Sequence, residues 1–336
     1  DSRQSRGLGD VYKRQYPNSI EARTCLGTHY LSKGEFKKGF ILYKYRDYQN
    51  SLVIYLQGNK IKKWNLKDSF TNLLILAEQG IGDEVMFLKF LKYFNASHNV
   101  TLCADERLSD IICRSYKSIN FITKKELLSN DNNLDSFSHY VFIGDMSEMF
   151  ITNANKMTLE AGAYMVADSI IVQHYKNNFR ETNKVNVGIS WHTNNKIRFL
   201  SNLRNKDLSL LANYKSMNLI NLQYGNHVEL MDKYNIKYDK SLDYMQNLNA
   251  VFGIISCCDC VITIDNCIAH FAGSLGIKTY LLLAKNADWR WFKNSKKNIW
   301  YNNVSLYRQE VLGSYELMLE AVVEDINKNN LDKIKP

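Results

Sequence analysis

The stretch that decides the fold is residues 71–87, which read TNLLILAEQGIGDEVMF. Thr71–Ala77 is a largely apolar run, as expected for a strand that is buried on both faces of a parallel sheet. A loop with Gly80 and Gly82 follows, and apolar residues at helical spacing begin at Val85. This order of strand, glycine loop and helix predicts the first βα unit of a sheet domain.

Apolar runs and helical patterns continue to alternate on both sides of a polar stretch at residues 175–184, YKNNFRETNK. The two series predict Rossmann-like domains over residues 67–180 and 184–330, each with a parallel sheet and right-handed crossovers. Two such halves place a ligand-binding cleft between the carboxyl ends of their sheets. The other predicted strands are Asn99–Cys103, Ile119–Ile122, Tyr140–Ile143, Val185–Trp191, Leu219–Leu222, Cys260–Ile264 and Thr279–Leu283, and the predicted helices of the second half are Asp207–Asn213, Met245–Cys257 and Cys267–Leu275.

Residues 16–50 predict a helical hairpin ahead of these domains. The run LGTHY at residues 26–30, a turn at Gly34, and the pair Gly39 and Tyr43 fit one tetratricopeptide unit. Any other two-helix hairpin would also produce this pattern. A lone unit cannot bury its own apolar face, so further repeats are expected to precede it.

The composition is that of a folded protein. The chain has 336 residues, of which 45% are hydrophobic and 12% aromatic, which supplies cores for two domains and excludes disorder over most of the chain. The longest mostly apolar run, Val251–Ile264, is interrupted by Asp259 and is too short to span a bilayer. Seven cysteines without regular pairing predict free thiols in a reducing compartment, which indicates a cytoplasmic protein.

The net charge of +9 does not identify a partner. Residues 1–15 carry part of it, but they read as a translated sequencing adapter and are left out of the fold; residues 51–66 are assigned to a linker. The remaining positive charge suits an enzyme of anionic substrates or peripheral association with an acidic membrane surface. No nucleic-acid partner is expected.

The loop EQGIGD, residues 78–83, is the first candidate site. Gly80 and Gly82 permit tight backbone geometry and the close approach of a ligand, with Gln79 beside them. Asp83 fits either a helix cap or a positioned carboxylate, and the local sequence favours the cap. A G-x-G spacing without a third glycine is a weak signal for a dinucleotide.

A second candidate site lies in residues 262–276. Asp265 and Asn266 fall where a strand gives way to a helix, so backbone N–H groups and the helix dipole there suit a phosphate. His270 lies one turn further on, on nearly the same face as Asn266. An N-cap followed by a buried, hydrogen-bonded histidine is an equally supported alternative.

A third candidate is the polar loop SWHTNNKIR at residues 190–198, with Arg204 beyond it. Basic side chains there could neutralise a diphosphate, although a solvated loop is the commoner meaning of such a pattern. Cys257, Cys258 and Cys260 lack a second C-x-x-C pair and lie in an apolar run, so they predict core packing and not a metal site.

Together these motifs resemble those of bacterial tetratricopeptide-linked glycosyltransferases, which are relatives of the heptosyltransferases of glycosyltransferase family 9. The similarity covers the order and spacing of motifs over residues 20–310. Residues 75–87 resemble the AEQGxGDxxxF segment, residues 187–191 the VGxxW strand, residues 222–225 the LQxG element, residues 265–276 the D-T-x-x-x-H-x-x-G-x-x-G motif, and residues 288–291 the DWRW element.

The resemblance implies a GT-B fold without a bound metal or other cofactor, in which the C-terminal domain holds most of a nucleotide-sugar donor. Asp83 would match the general base, within a loop in which Gln79, Gly80 and Gly82 meet the substrates. The last helix, predicted over Tyr315–Lys328, would pack back towards the first sheet domain. The donor-binding residues would be Arg204, Gln223, Asp265, Asn266 and His270.

Two positions depart from the family pattern. Asn266 stands where the family has Thr, but its amide can still donate a hydrogen bond to a phosphate. The loop over residues 193–203 lacks the family's N-P and D-R pairs, so Arg198 is not assigned as a ligand.

The leading hypothesis is an inverting, metal-independent glycosyltransferase that acts on a hydroxyl of a glycan, lipid or protein acceptor. Its tetratricopeptide part would recruit the acceptor or a partner protein. A non-catalytic scaffold or binding protein with the same fold is the main alternative, and a nucleotide-sugar epimerase is a third. The presence of both Asp83 after its glycine loop and the Asp265–His270 motif favours an enzyme.

Overall fold

The computed structural model describes residues 19–46, 56, 61–65, 67–129, 134–151, 162–194, 202–293, 298–311 and 314–329. Residues 1–15 and Arg198 lie outside this part of the chain. Over the described residues the molecule is α/β, with two five-stranded sheets in which all strand pairs are parallel, as predicted.

The first sheet has the strand order β1-β5-β2-β3-β4. From β2 the chain moves outward to β3 and β4 and then returns to add β5 on the other side of β2. This reversal leaves a crevice at the carboxyl ends of β2 and β5, where open α/β sheets bind ligands. The strands are β1 (Lys62–Lys63), β2 (Asn72–Leu76), β3 (Asn99–Ala104), β4 (Asn120–Thr123) and β5 (His139–Phe142).

The second sheet has the order β10-β9-β8-β6-β7, and its reversal lies between β6 and β8. The polar stretches after these two strands, which the sequence singled out, therefore meet at one crevice. The strands are β6 (Val185–Ser190), β7 (Met217–Asn221), β8 (Cys260–Ile264), β9 (Thr279–Leu283) and β10 (Val304–Arg308).

The edge strands β1 and β10 were not predicted. β1 consists of two exposed lysines, so it carries no apolar signal, and it pairs with β5. In β10 only Val304 and Leu306 are buried, and the other three residues are partly exposed; the strand pairs with β9. Both strands add to sheets whose inner strands are buried almost throughout, and continuous burial is what gives those inner strands their apolar runs.

The helices lie between these strands and ahead of them. α1 (Ile20–Ser32) and α2 (Phe36–Tyr43) form the predicted hairpin. Among the described residues, no helix combines the length and the apolar character needed to cross a membrane. The others are α3 (Ile81–Leu88), α4 (Ser109–Ser115), α5 (Lys124–Ser129), α6 (Ser147–Phe150), α7 (Ser169–Phe179), α8 (Asn205–Ala212), α9 (Val228–Lys233), α10 (Leu248–Cys257), α11 (Cys267–Ser274) and α12 (Glu316–Asn329).

The two hairpin helices pack closely because glycine stands at their crossing. A Cβ added at Gly39 would lie 2.6 Å from Leu31, and one at Gly27 would lie 3.0 Å from the backbone nitrogen of Tyr43. The hairpin does not stand apart from the sheet domains, since Phe36 and Phe292 meet edge to face with ring centroids 5.6 Å apart. The apolar face that a lone hairpin would expose is thus covered by the C-terminal domain.

The C-terminal helix packs differently from the expectation. Helix α12 buries its apolar face, including Leu319 and Val322, on the second sheet, in one cluster with Ile262 and Tyr280. The expectation that this helix packs back towards the first sheet domain is wrong. Its apolar residues recur at helical spacing and cover the nearest exposed sheet face, which belongs to its own domain.

Candidate functional site

The loop between β2 and α3 holds its shape through an unusual backbone. Helix α3 begins at Ile81, with Gly80 as its N-cap, and no side chain caps it. Asp83 is the third residue of the helix, so the interpretation of Asp83 as the cap is wrong. Gln79 adopts a φ of 65°, a left-handed conformation that few residues other than glycine take. Its side-chain oxygen accepts a hydrogen bond of 3.4 Å from the Tyr43 hydroxyl of the hairpin.

The Asp83 carboxylate crosses to the C-terminal domain and forms an ion pair with Arg290. The Arg290 Nε lies 2.7 Å from Asp83 Oδ1, and Nη2 contacts the same oxygen. The third guanidinium nitrogen, Nη1, lies 2.5 Å from Asp288 Oδ1. Although burial disfavours the charged guanidinium, Asp83 and Asp288 raise the pKa of Arg290 well above its usual value. Arg290 is therefore charged at neutral pH, and its contacts orient the candidate base.

Gly82 has a packing role between the domains. A Cβ at Gly82 would lie 3.0 Å from His270 Cδ2 and 3.4 Å from Cys267 Cα, both on α11. Helices α3 and α11 therefore approach each other at the cleft through this glycine. Gly80 is different, because a Cβ there would meet only Asp83 Oδ2, at 3.8 Å.

Replacing Gly82 with Ala is expected to lower the free energy of unfolding, whereas Gly80→Ala is expected to change it little. The new methyl group must displace the His270 ring, which is fixed by Trp291 and Tyr301, and overpacking of this kind typically costs about 1–3 kcal/mol. A helical Gly→Ala change by itself would stabilise by up to about 1 kcal/mol, so a loss at Gly82 reports the contact. Denaturant titration of both variants measures the difference, and equal stability would show that the helices are not tightly packed here.

The second crevice contains Asp265 and Asn266 at the start of α11. Asn266 is its N-cap: its Oδ1 accepts from the Ile268 N–H at 3.0 Å, and its Nδ2 donates to Ser190 Oγ at 2.8 Å. Asp265, 4% exposed, accepts a 2.7 Å hydrogen bond from the Trp291 indole. The structure thus joins the ends of β6 and β8 to the DWRW segment.

Gln223 organises the end of β6. Its side-chain oxygen accepts hydrogen bonds from the backbone N–H groups of Trp191 and His192, at 3.0 and 2.9 Å, and from Ser190 Oγ at 3.0 Å. Its amide nitrogen donates to the Tyr224 carbonyl. Gln223 is 1% exposed, so it fixes the backbone at the end of β6 from the protein interior.

His270 is buried, as the second interpretation of its motif predicted. Its Nδ1 lies 2.9 Å from the Tyr301 hydroxyl, and its ring stacks on Trp291 with centroids 5.1 Å apart. The ring also meets Gly82, so His270 is part of the contact between the two domains.

Arg204 occupies the N-cap position of α8. Its backbone N–H donates to Asp207 Oδ2 at 2.8 Å, and its Nε lies 3.4 Å from the same oxygen. The Arg204 side chain is 54% exposed, whereas Asp207 is 2% exposed. Arg204 follows the polar loop after β6 and therefore lies on the carboxyl-end side of the second sheet.

The residues that connect these motifs were not predicted from the sequence. Arg290 and Trp291 are neighbours, yet one contacts Asp83 in the N-terminal domain and the other contacts Asp265 in the C-terminal domain. The DWRW pattern was the available signal, but no role followed from its letters. Arg46, at the end of the hairpin, was not recognised either; its Nε lies 3.0 Å from Glu78 Oε2, just before the Gln79 loop.

The residue after Asp83 faces away from the cleft. Glu84 is 3% exposed, and its Oε2 accepts the Asp105 N–H at 3.0 Å. Burial raises the pKa of Glu84 from its ordinary value of 4.5 to about 7, despite the opposing effects of that hydrogen bond and of Lys124.

This raised pKa predicts a pH dependence of stability. The contribution of Glu84 to folding is fully present below the unfolded-state pKa and is lost as the pH rises through about 7, because the buried carboxyl must then ionise. Between pH 5 and pH 8.5 the unfolding free energy of the parent should fall by about 2–4 kcal/mol more than that of Glu84→Gln. Urea titrations of both proteins at the two pH values measure it, and parallel pH profiles would contradict the assignment.

Among the described residues, no three His, Cys, Asp or Glu side chains form a group that could hold a metal ion. All seven cysteines are free thiols; four of them, Cys103, Cys257, Cys258 and Cys260, are buried. The prediction that Cys257, Cys258 and Cys260 pack in the core agrees with their place in the apolar clusters.

Comparison with known proteins supports the architecture. No protein-family model matches the chain. Protein FlbA of Caulobacter vibrioides is 22% identical over 271 residues, which cover 73% of this chain but 44% of FlbA. The chain therefore matches less than half of the length of that relative.

Two solved structures share the fold at low sequence identity. The glycosyl transferase family 9 protein of Veillonella parvula superposes with a TM-score of 0.50 and 11% identity, over 79% of this chain and 90% of that one. The ADP-heptose LPS heptosyltransferase II of Escherichia coli gives a TM-score of 0.53 and 10% identity, over 79% of this chain and all of that one. The predicted GT-B-like pair of sheet domains is thereby confirmed as the fold of this protein.

Proposed function

We propose that this protein is an inverting, metal-independent glycosyltransferase that moves a sugar from a nucleotide-sugar to an acceptor hydroxyl. One observation carries the proposal: the Asp83 carboxylate lies at the helix start after β2, and Arg290 couples it to the segment that also contacts Asp265. Two consecutive residues of one segment, Arg290 and Trp291, thus connect a candidate base to a candidate diphosphate site. The family 9 fold of the two similar structures supports this chemistry.

In the proposed reaction Asp83 accepts the proton of the acceptor hydroxyl while that oxygen attacks the anomeric carbon. The bond from this carbon to the diphosphate oxygen breaks, its electron pair leaves with the nucleoside diphosphate, and the configuration inverts. Asp83 acts mainly by position, which requires that its carboxylate be held in one orientation. Arg290 supplies this orientation, because both of its contacts to Asp83 use the same carboxylate oxygen, Oδ1.

The leaving diphosphate would be stabilised without a metal ion. The N-terminus of α11 provides the positive end of a helix dipole, and the exposed Arg204 guanidinium adds a charge-assisted hydrogen bond. In this proposal the walls of the donor site are formed by Asp265, Asn266, Gln223 and His270. The free thiols are consistent with the cytoplasm as its setting.

Nucleoside diphosphate binding is the direct test. In EDTA, one of ADP, UDP or GDP should raise the melting temperature, because a ligand that binds only the folded state stabilises it. Arg204→Ala should lower the affinity for that nucleotide by about 10- to 150-fold, which corresponds to the loss of one charge-assisted hydrogen bond.

The matched control is Lys215→Ala. Lys215 is an exposed cation that precedes β7, at the amino ends of the strands of the same sheet, so its loss changes the net charge equally without touching the crevice at their carboxyl ends. Equal effects of the two variants would mean that Arg204 acts only through net charge. A nucleotide that binds only after Mg²⁺ or Mn²⁺ is added would contradict the metal-independent site.

A further inference from the structure

A cleft of about 620 Å³ opens beside the Asp83–Arg290 pair, and the helical hairpin forms one of its walls. The rest of the lining comes from Tyr43 and Arg46 at the end of the hairpin, from Gln79 of the loop after β2, and from a wall formed by Asp288, Trp289 and Arg290 of the DWRW segment. The cleft therefore lies where the hairpin, the N-terminal domain and the C-terminal domain meet. Arg290 belongs both to this wall and to the ion pair that orients the proposed base.

The wall formed by α1 carries a row of hydroxyl side chains. Thr24, Thr28 and Ser32 recur every four residues and so lie on one face of the helix, which lines the cleft. Each hydroxyl donates its proton to a carbonyl one turn back in the helix, over 2.9, 3.0 and 2.7 Å respectively. A hydroxyl whose proton is used in this way offers only its oxygen lone pairs, as an acceptor.

A row of hydrogen-bond acceptors selects a ligand that brings donors. Sugar hydroxyls satisfy this requirement, whereas the oxygens of a phosphate or carboxylate would meet the hydroxyl oxygens without a proton between them. His29 lies on the same wall, and burial, followed by Lys33 and Lys293, lowers its pKa. At neutral pH this imidazole is uncharged and can both donate to and accept from a hydroxyl.

We propose that this cleft is the acceptor site and that it binds a neutral saccharide, whose hydroxyls donate to Thr24, Thr28 and Ser32. The inference rests on the proposed function for the identity of the ligand as acceptor. It makes the hairpin a part of the catalytic unit, because the hairpin supplies one wall of the site next to the base. Arg290 lines the cleft and also holds Asp83, so the proposed acceptor site and the base meet at this residue.

Cys25 gives a readout that does not depend on turnover. It is exposed and lines the cleft, whereas Cys113 is exposed on α4, which does not contribute to the cleft walls. The experiment measures the alkylation of Cys25 by N-ethylmaleimide in the presence of neutral hexose and N-acetylhexosamine oligosaccharides at millimolar concentration. At least one of these saccharides should slow the alkylation about tenfold. The rate at Cys113, measured by mass spectrometry in the same sample, should stay constant.

The variant Thr24→Val/Thr28→Val/Ser32→Ala removes the three acceptors and nearly preserves their volume. Protection of Cys25 should then require at least about tenfold more saccharide, because hydrogen bonds to the ligand are lost. Binding of the nucleoside diphosphate should remain at the parental affinity, which also shows that the variant is folded.

Three results would overturn the proposal: no saccharide protects Cys25, the variant is protected as well as the parent, or ADP, UDP or GDP protects Cys25 in place of the saccharide. The last result would assign the cleft to the donor. If a saccharide protects Cys25 but no nucleotide binds the protein, the proposed function fails while the saccharide site remains, so the two failures are distinguishable.

Discussion

Asp83→Asn is expected to lower sugar transfer by about 10²–10⁴-fold, the usual effect of losing a general base. The asparagine oxygen can still accept a hydrogen bond from Arg290, and Asp288 remains beside the same guanidinium. The fold and the affinity for the nucleoside diphosphate should therefore be kept. Calorimetry with the nucleotide and a transfer assay with the saccharide acceptor measure the two properties separately.

Glu84→Gln is the matched control for this experiment. It makes the same carboxylate-to-amide change one residue along, but Glu84 faces Asp105 in the interior of the N-terminal domain. Its transfer rate should stay within a few-fold of the parent. If Asp83→Asn transfers sugar as fast as Glu84→Gln, Asp83 serves only as the structural partner of Arg290, and another group must accept the proton.

The central strands could be predicted because burial on both faces leaves a continuous apolar run. Each of the eight predicted strands is present within two residues at either end; Cys260–Ile264 and Thr279–Leu283 begin and end as predicted. The edge strand Lys62–Lys63 could not be predicted, since an edge of two exposed lysines has the composition of a loop. The packing partner of Glu316–Asn329 was wrong for a related reason: an apolar helix face shows that it is buried, but not against which sheet.

The candidate site could be predicted as a set of motifs but not as a set of contacts. The sequence located Asp83 and Asp265 at strand ends, because the βα pattern fixes where loops fall. It could not show that Arg290 joins one of them while Trp291 joins the other, since these pairs are 207 and 26 residues apart in the chain. Nor could it show that Gly82 packs against the neighbouring domain, where an added Cβ would lie 3.0 Å from His270 Cδ2.

The attachment of the hairpin is the other contact that no motif revealed. Arg46, 1% exposed, pairs with Glu78 at the start of the candidate loop and with Asp145 after β5. Arg46 Nη1 and Asp145 Oδ1 are 2.7 Å apart. Lys63 of β1 reaches the second oxygen of Asp145, also at 2.7 Å. Although burial raises the pKa of Asp145, Arg46 and Lys63 bring it below its usual value. Four segments of the chain thus meet in one ion cluster, which is buried except at Lys63.

Arg46→Met is expected to lower the free energy of unfolding by about 3–5 kcal/mol, the cost of leaving buried charges without their partner. Methionine fills much of the volume of the arginine side chain, so the loss reports charge and hydrogen bonding rather than a cavity. Urea denaturation at pH 7 measures it. Lys38→Met is the control, since it breaks the exposed pair with Glu35 and should have a negligible effect.

The triple variant Arg46→Met/Glu78→Gln/Asp145→Asn separates the two causes of that loss. It removes the buried carboxylates together with the guanidinium, so much of the stability lost in Arg46→Met should return. Lys63 loses its partner as well, but its side chain is 40% exposed and remains hydrated. If the triple variant is no more stable than Arg46→Met, the arginine acts through packing against Tyr43, whose ring lies 4.5 Å from its guanidinium carbon, and not through the charges.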